Sequence, residues 1–189
     1  MAKILITGTS RGIGYDAALL LARAGHEAVA TMRTPGASDL AAVATAAQLP
    51  LTVLAMDVDD DASVAAVFAP MAGSIDVLIN NAGILIINVV EDEGLEQVRR
   101  VMVTNCFGAV RCIRQVLPAM RQRRAGCIIK ITSIAGRMAL FAQSAYAASK
   151  FALEGFSEAL AQEVKGFGIR VALVEPGIID TPMVTTRLP

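Results

Sequence analysis

Tyr146 and Lys150 have the residue types and the spacing of an acid–base pair. They are four positions apart, so a helix would place both side chains on one face. The pKa of an ordinary tyrosine is about 10, and a lysine ammonium about 4 Å away in a partly buried site would lower it by roughly three units. Tyr146 would then donate a proton to a carbonyl oxygen or accept one from an alcohol. Ser133, at the end of a predicted strand, would hydrogen-bond the same oxygen; the alternative is a surface Tyr–Lys pair and a loop serine without a catalytic role.

A glycine-rich segment near the N-terminus has the spacing of a phosphate-binding loop. Gly8 would permit the tight turn after a strand, Gly12 would let the backbone approach a pyrophosphate, and Gly14 would allow a helix to pack closely on that strand. The start of the following helix offers unpaired N–H groups, which attract phosphate. The alternative is a flexible turn between a strand and a helix. The loop residues predicted to contact the cofactor are Gly8, Thr9, Ser10, Arg11, Gly12, Ile13 and Gly14.

The end of the second predicted strand bears on which dinucleotide would bind. NAD-binding folds of this type carry an acidic residue about 20 residues after the loop, where it hydrogen-bonds the ribose 2′-hydroxyl. This chain has Arg33 there, with no Asp or Glu beside it. Arg33 and Arg11 would attract the 2′-phosphate of NADP(H), which an acidic residue would repel. The sequence therefore predicts that NADP(H) is preferred over NAD(H). The alternative is that Arg11 and Arg33 are ordinary surface arginines.

Six short apolar segments alternate with longer helical patterns along the chain. The segments are rich in Ile, Val and Leu without strict alternation, which is typical of strands covered on both faces of a parallel sheet. The alternation predicts an α/β protein with a doubly wound parallel sheet. The predicted strands are Lys3–Thr7, Glu27–Met32, Leu51–Met56, Asp76–Ile79, Cys127–Thr132 and Arg170–Val174. The predicted helices are Gly12–Ala24, Ser38–Ala47, Ala62–Phe68, two around Gly94–Arg124, and Ala145–Lys165.

The composition limits the classes of protein to which the chain can belong. Its 189 residues favour one domain, and 54% hydrophobic against 18% charged residues exclude a disordered chain. The formal net charge of zero argues against a nucleic-acid-binding protein. The apolar segments are too short to span a bilayer and the N-terminus lacks a signal-peptide pattern, so no membrane association is expected.

The cysteines and the histidine point to a cytoplasmic protein without a metal site. Cys106, Cys112 and Cys127 form no CxxC or CxxxC pair and are expected to be reduced and buried. His26 is the only histidine, so the chain has no multi-histidine metal site or Ser–His dyad. The acidic run Asp59–Asp61 is better explained as the start of a helix than as a cation site.

These motifs, with others further along, resemble the short-chain dehydrogenase/reductase family over essentially the whole chain. The resemblance rests on the glycine-rich loop, Asp57-Val58, Asn80-Asn81-Ala82-Gly83, Asn105, Ser133, Tyr146 with Lys150, and Pro176-Gly177 with Thr181. It implies a Rossmann-type doubly wound parallel sheet with strand order 3-2-1-4-5-6 and helices on both faces. The catalytic residues that it implies are Asn105, Ser133, Tyr146 and Lys150.

The resemblance also implies cofactor contacts that spacing alone does not assign. Around the adenosine half it places Asp57 and Val58 beside the adenine, and Asn80, Ala82 and Gly83 along the adenosine side. Around the nicotinamide half it places Tyr146, Lys150, Pro176 and Gly177, with Ile179 and Thr181 receiving the carboxamide. Lys150 would also hold the ribose hydroxyls, and Asn105 would sit in a helix and hold a water that relays protons towards Lys150.

The implied function is NADP(H)-dependent hydride transfer between the nicotinamide and a small-molecule carbonyl or secondary alcohol, with Tyr146 as general acid or base. The segment from Ser149 to Phe156 is similar to the carbonyl-reductase, hydroxysteroid- and retinol-dehydrogenase-like branch. Family members pair the helices near Val103–Met120 and Ala145–Lys165, which implies a homodimer or homotetramer. Two alternatives stay open: an NAD(H)-dependent alcohol dehydrogenase, and a cofactor-binding regulatory module without turnover.

Two features depart from the family pattern. Lys130 stands where the family often has Asn before the catalytic serine, outside the catalytic set. The chain ends at Pro189, where relatives continue through a substrate-covering helical segment, another strand and a tail. Residues 1–189 are therefore expected to form a single NAD(P)-binding domain that lacks the usual C-terminal substrate lid and last strand.

Overall fold

Six parallel strands form the centre of the structure, a computed structural model that describes residues 1–181. The strands are β1 Lys3–Thr7, β2 Glu27–Met32, β3 Leu51–Ala55, β4 Val77–Asn80, β5 Gly126–Ile131 and β6 Ile169–Val174. Their order in the sheet is β3-β2-β1-β4-β5-β6, and each neighbouring pair is parallel. The predicted fold class and strand order are confirmed.

Helices connect the strands and cover both faces of the sheet. They are α1 Gly12–Arg23, α2 Leu40–Ala46, α3 Asp61–Phe68, α4 Leu95–Met102, α5 Gly108–Arg123 and α6 Ser144–Val164. A π-helical turn, Val103–Phe107, joins α4 to α5, a feature that periodicity does not predict because it adds one residue to a single turn.

The core consists of two apolar layers, one on each face of the sheet. Leu5 of β1 packs in one layer with Phe68 and Met120, which belong to α3 and α5. Its neighbours Ile4 and Ile6 point to the opposite face and pack in the second layer, under α1 and α2. Because both faces are buried, the central strands show continuous apolar runs rather than alternation.

Three of the expectations for the chain as a whole can be compared with the described residues. All three cysteines are buried and free. No helix in residues 1–181 is long and apolar enough to cross a bilayer. That same range contains no group of three or more His, Cys, Asp or Glu side chains placed to hold a metal ion. The expected end of the domain at Pro189 lies outside the described residues.

Candidate active site

A cleft of about 410 Å³ opens at the carboxyl ends of the strands. The strand order reverses between β1 and β4, so the loops that follow these strands diverge and leave a crevice between them. Most of the predicted site residues meet there. Those that line the cleft are Gly8, Ser10, Arg11, Gly12, Ile13, Arg33, Asp57, Val58, Ala82, Gly83, Ser133, Tyr146, Lys150, Pro176, Gly177, Ile179 and Thr181.

The glycine-rich loop has a backbone conformation that requires its glycines. Gly8 and Gly12 have φ angles of +71° and +63°, in the left-handed region that favours glycine. A Cβ on Gly14 would lie 2.5 Å from the Gly8 carbonyl oxygen, so α1 packs directly against the loop. Thr9 is fully buried, and its hydroxyl donates to the Thr31 carbonyl oxygen at 3.1 Å. Thr9 and Gly14 therefore support the loop on the side away from the cleft and do not line it.

The segment after β4 differs from the expectation at one residue. Asn80 is buried away from the cleft, and its side-chain amide makes no hydrogen bond within residues 1–181. Asn81 lines the cleft instead, and its Nδ2 donates to the Thr7 and Gly8 carbonyl oxygens, both at 2.9 Å. Successive side chains of a strand point to opposite sides, so only one of two adjacent asparagines can face the crevice. Asn81, rather than Asn80, is that residue.

Two arginines line the part of the cleft next to the loop. Arg11 and Arg33 are both exposed, and neither forms an ion pair with an acidic side chain of the described residues. The acidic side chains of this region stand at the end of β3, where the Asp57 carboxylate accepts a hydrogen bond from the Asp59 N–H at 3.0 Å. The end of β2 thus presents positive charge to the cleft, as the sequence predicts.

Ser133, Tyr146 and Lys150 line the same cleft. The Lys150 ammonium is buried, donates to the Ile131 carbonyl oxygen at 3.0 Å and lies 5.6 Å from the centroid of the Tyr146 ring. Ser133 follows β5 in an extended conformation, and its Oγ accepts a hydrogen bond from the Ala135 N–H at 3.1 Å. The end of β5 and the first turns of α6 hold the three side chains together.

The electrostatics of the Tyr–Lys pair differ from the expectation. Burial raises the pKa of Tyr146 above its ordinary value, and the nearby Ser133 hydroxyl offsets this only in part. Burial also lowers the pKa of Lys150 to about 8. The expected fall in the Tyr146 pKa is absent because the ammonium points at a backbone carbonyl and the phenol is desolvated. A phenol that keeps its proton at neutral pH is suited to donate it.

Asn105 lies in the π-helical turn, and its side chain clamps the loop after β4. Its Oδ1 accepts from the Ile84 N–H at 2.8 Å, and its Nδ2 donates to the Ile84 carbonyl oxygen at 2.9 Å and to Ser149 Oγ at 3.0 Å. A Cβ on Gly83 would lie 3.3 Å from Asn105 Oδ1 and 3.8 Å from Lys150 Nζ, so these hydrogen bonds lie next to the Tyr–Lys pair. These bonds use both N–H groups of the side-chain amide and one lone pair of Oδ1, and the water that the resemblance implies stays a prediction.

Some residues that line the cleft were not singled out from the sequence. Most come from loops and turns, where no periodic pattern indicates which side chains face inwards. Apolar examples are Ile84, Leu85, Ile87, Ile134 and Ile178, and Met32 and Ile131 line the cleft from the ends of β2 and β5. Leu140 also lines the cleft, whereas Phe141 beside it is exposed.

Comparison with known proteins places these features in one family. The chain matches the family model for short chain dehydrogenases over residues 2–189. It is 43% identical over 183 residues to human retinol dehydrogenase 8, covering 94% of this chain and 59% of that protein. It is also 42% identical over 187 residues to a 3-ketodihydrosphingosine reductase of Bacteroides thetaiotaomicron, covering 97% of this chain and 66% of that protein. The chain therefore spans roughly three fifths to two thirds of these relatives.

A solved structure shows the same fold. It comes from Beutenbergia cavernae, is classed provisionally as an NAD(P)-dependent gluconate 5-dehydrogenase, and holds NADP at low occupancy. It superposes with a TM-score of 0.92 at 32% identity, over 97% of this chain and 75% of that one. The family model that the chain matches is consistent with the observed strand order, the glycine-rich loop and the Tyr–Lys pair. The chain belongs to the short-chain dehydrogenase/reductase family.

Proposed function

We propose that residues 1–189 form one nicotinamide-cofactor-binding domain of an NADP(H)-dependent oxidoreductase that acts on a small-molecule carbonyl or secondary alcohol. The observation that carries the proposal is that Ser133, Tyr146 and Lys150 line the same cleft as the glycine-rich loop. One cleft thus offers a cradle for phosphate and a proton donor. The bound nicotinamide would supply or accept the hydride, and this chain's residues would orient the substrate and move the proton.

The loop and the helix after it fit a dinucleotide. A Cβ on Gly8 would lie 2.6 Å from Ala82 Cα, so the absence of a side chain there lets the loop pack on the segment after β4. Gly12 lines the cleft without a side chain, so a pyrophosphate can approach its backbone. Arg11 precedes α1 without capping it through its side chain, so the first N–H groups of the helix remain available for an anion. These features support binding of the pyrophosphate by the loop residues, with Asp57 and Val58 beside the adenine.

The reacting oxygen would be held by Tyr146 and Ser133. In reduction, the Tyr146 phenol donates its proton to the carbonyl oxygen while the Ser133 hydroxyl hydrogen-bonds the same oxygen. The raised Tyr146 pKa keeps the phenol protonated at neutral pH, which is the form that donates a proton. Lys150 would hold the ribose hydroxyls beside Tyr146, and Pro176, Gly177, Ile179 and Thr181 would form the wall against the carboxamide. Asn105 keeps the loop after β4 in place.

Arg33→Asp is expected to weaken NADPH binding by about ten- to hundred-fold while changing NADH binding much less. The reason is the loss of a charge-assisted contact with the 2′-phosphate, worth about 1.5–3 kcal/mol, and its replacement by a repulsive carboxylate. The measurement is the Kd for each cofactor by fluorescence titration. Arg170→Asp, the same change at an exposed position on β6, is the control. Equal weakening of both cofactors by Arg33→Asp would contradict the preference for NADP(H).

A screen of decanal and acetophenone with NADPH and then NADH tests the proposed activity as a whole. Oxidation of NADPH by at least one of these carbonyls is the expected result. Faster turnover with NADH would favour the NAD(H)-dependent alternative. Tight cofactor binding without turnover of any carbonyl would favour the regulatory module.

We further propose that the chain forms a homodimer or homotetramer through α5 and α6, in the cytoplasm. The π-helical turn before α5 exposes half of Phe107, and α6 exposes Phe151 to 46%, which supports a self-complementary apolar face. Sedimentation at micromolar concentration is expected to show a dimer or tetramer, and the Phe107→Ser, Phe151→Ser double variant a shift towards monomer. A monomer for the unaltered chain would contradict this assembly.

A further inference from the structure

Arg137 lies where three segments of the active site meet. It follows the short turn Ile134–Gly136, which begins directly after Ser133 (the Ser133 turn). Its guanidinium contacts carboxylates on two other segments. Nη2 lies 3.4 Å from Glu154 Oε2 on α6, and it donates to Glu175 Oε1 after β6 at 2.8 Å. The proposed function assigns no role to Arg137.

The Glu154 carboxylate depends on this contact. Glu154 is 4% exposed, and neither of its oxygens accepts a hydrogen bond within residues 1–181. A buried charge is unfavourable unless another charge or hydrogen bonds compensate it. In the described part of the chain, Arg137 carries the one cationic group within 4.0 Å of this carboxylate. Removal of Arg137 would therefore leave a buried carboxylate without a cation in contact with it.

The second carboxylate stands beside the proposed carboxamide wall. Glu175 directly precedes Pro176-Gly177, which lines the cleft, and residues 175–177 are named the wall segment. Nε and Nη2 of Arg137 both donate to Glu175 Oε1, at 3.1 and 2.8 Å. The backbone joins the same two segments, because the Ile134 N–H donates to the Pro176 carbonyl oxygen at 3.0 Å. Arg137 and this backbone bond together connect the Ser133 turn to the wall segment.

The Ser133 turn also packs on α6 with no room for another side chain. A Cβ on Gly136 would lie 3.0 Å from Glu154 Cγ and 3.3 Å from the Lys150 carbonyl oxygen. Glu154 follows Lys150 by four residues, so the two lie one turn apart on the same face of α6. A shift of this turn along α6 would therefore move Ser133 relative to Tyr146.

A guanidinium is suited to join three segments. It is planar and carries several N–H donors in a fixed fork, so one side chain can contact carboxylates that approach from different directions. A third carboxylate, that of Glu158, lies 3.8 Å away and is 64% exposed, and such a contact contributes little. The contacts expected to matter are those with buried Glu154 and with Glu175, which accepts two hydrogen bonds.

We propose that Arg137 is a positioning residue of the active site, which holds the Ser133 turn and the wall segment against α6. In this role it would keep the Ser133 hydroxyl and the carboxamide wall in place beside Tyr146. The part that concerns cofactor and turnover rests on the proposed function. The glycine-rich loop lies at the adenosine half of the cleft, so binding of that half is expected not to depend on Arg137.

The first test needs neither cofactor nor substrate. Arg137→Met is expected to lower the Tm by about 5–15 °C, because Glu154 would stay buried without its cation. Adding Glu154→Gln to Arg137→Met is expected to recover part of this loss, since the buried charge is then gone. Arg99→Met, the same change at an exposed arginine of α4, is the control. An unchanged Tm in Arg137→Met, or no recovery in the double variant, would overturn the proposal.

The second test compares the whole cofactor with its adenosine half. Arg137→Met is expected to weaken NADPH binding by about three- to tenfold, the value of one hydrogen bond to the carboxamide, and to leave the Kd of 2′,5′-ADP unchanged. NADH and ADP form the corresponding pair if the chain prefers NAD(H). A merely structural role would not separate the two values. Equal weakening of both, or of neither, would overturn the positioning of the wall segment.

Milder variants keep the proposal falsifiable if Arg137→Met does not fold. Arg137→Lys keeps the charge but not the fork, and Glu175→Gln breaks only the contact with the wall segment. Both are expected to weaken NADPH without changing 2′,5′-ADP, and Arg137→Lys is expected to keep most of the Tm because Glu154 retains a cation. An unchanged Kd for NADPH in both folded variants would contradict the proposal.

Turnover separates this inference from the proposed function. Arg137→Met is expected to lower kcat for carbonyl reduction by about ten- to hundredfold, since a small displacement of a group that orients the substrate is costly. A normal kcat together with a weakened NADPH Kd would contradict the positioning of Ser133. If the unaltered chain binds no cofactor and reduces no carbonyl, the proposed function fails, and the Tm comparison still decides whether Arg137 holds these segments together.

Discussion

Tyr146→Phe is expected to lower kcat for carbonyl reduction by about 10²–10⁴-fold, the usual contribution of general acid–base catalysis. The ring is buried and its packing is kept, so the substitution removes only the hydroxyl that would deliver the proton. The Kd for NADPH is expected to stay nearly constant, because the hydroxyl is assigned to the reacting oxygen rather than to the cofactor. The measurement pairs kcat with cofactor fluorescence, using the best carbonyl from the screen.

Tyr15→Phe is the matched control for this experiment. Tyr15 is the other tyrosine of the chain, and its hydroxyl donates to Asp39 at 2.8 Å on the exposed side of α1, away from the cleft residues. Loss of the Tyr15 hydroxyl should leave kcat unchanged. Near-normal turnover in Tyr146→Phe would mean that the proton comes from another group.

Lys150→Ala is expected to lower kcat at least as much as Tyr146→Phe and, in addition, to weaken NADPH binding by about ten- to hundred-fold. The ammonium is assigned charge-assisted hydrogen bonds to the ribose hydroxyls, which are worth about 1.5–3 kcal/mol. These bonds would also hold the nicotinamide in place beside Tyr146, so their loss lowers turnover as well as affinity. Single-residue effects of groups that act as a unit do not add, so the double variant should resemble Lys150→Ala.

Lys165→Ala serves as the control, since Lys165 is exposed after the end of α6. Thermal unfolding of both variants separates a catalytic loss from a loss of structure, because Lys150 is buried and bonded to the end of β5 through the Ile131 carbonyl. A loss of turnover with an unchanged Kd for NADPH would contradict the ribose contact.

Local sequence patterns predicted most of what positions the site. The apolar runs located all six strands to within one residue at each end, because a strand buried on both faces must be apolar throughout. The positions of Gly8 and Gly12 follow from the backbone conformation that the loop requires. The spacing of Tyr146 and Lys150 correctly placed both side chains at one cleft, because helix geometry is local.

Properties that depend on tertiary contacts could not be predicted from the sequence. The direction of the Tyr146 pKa shift is set by burial under the loops and by where the Lys150 ammonium points, and neither is a local property. The hydrogen bonds of Asn105 to Ile84 join segments 21 residues apart. Glu154 has the sequence context of an ordinary helix residue, and only the packing of the turn after β5 shows that its side chain is buried beside Arg137.

The most direct test of the central account follows the hydride itself. The chain is incubated with the best carbonyl of the screen and NADPH carrying deuterium at one or the other face of the nicotinamide C4, and the alcohol product is examined by mass spectrometry. The account predicts one deuterium on the former carbonyl carbon, from only one of the two labelled faces, at a rate that Tyr146→Phe lowers by about 10²–10⁴-fold. An alcohol without deuterium from either labelled cofactor would contradict hydride transfer in this cleft.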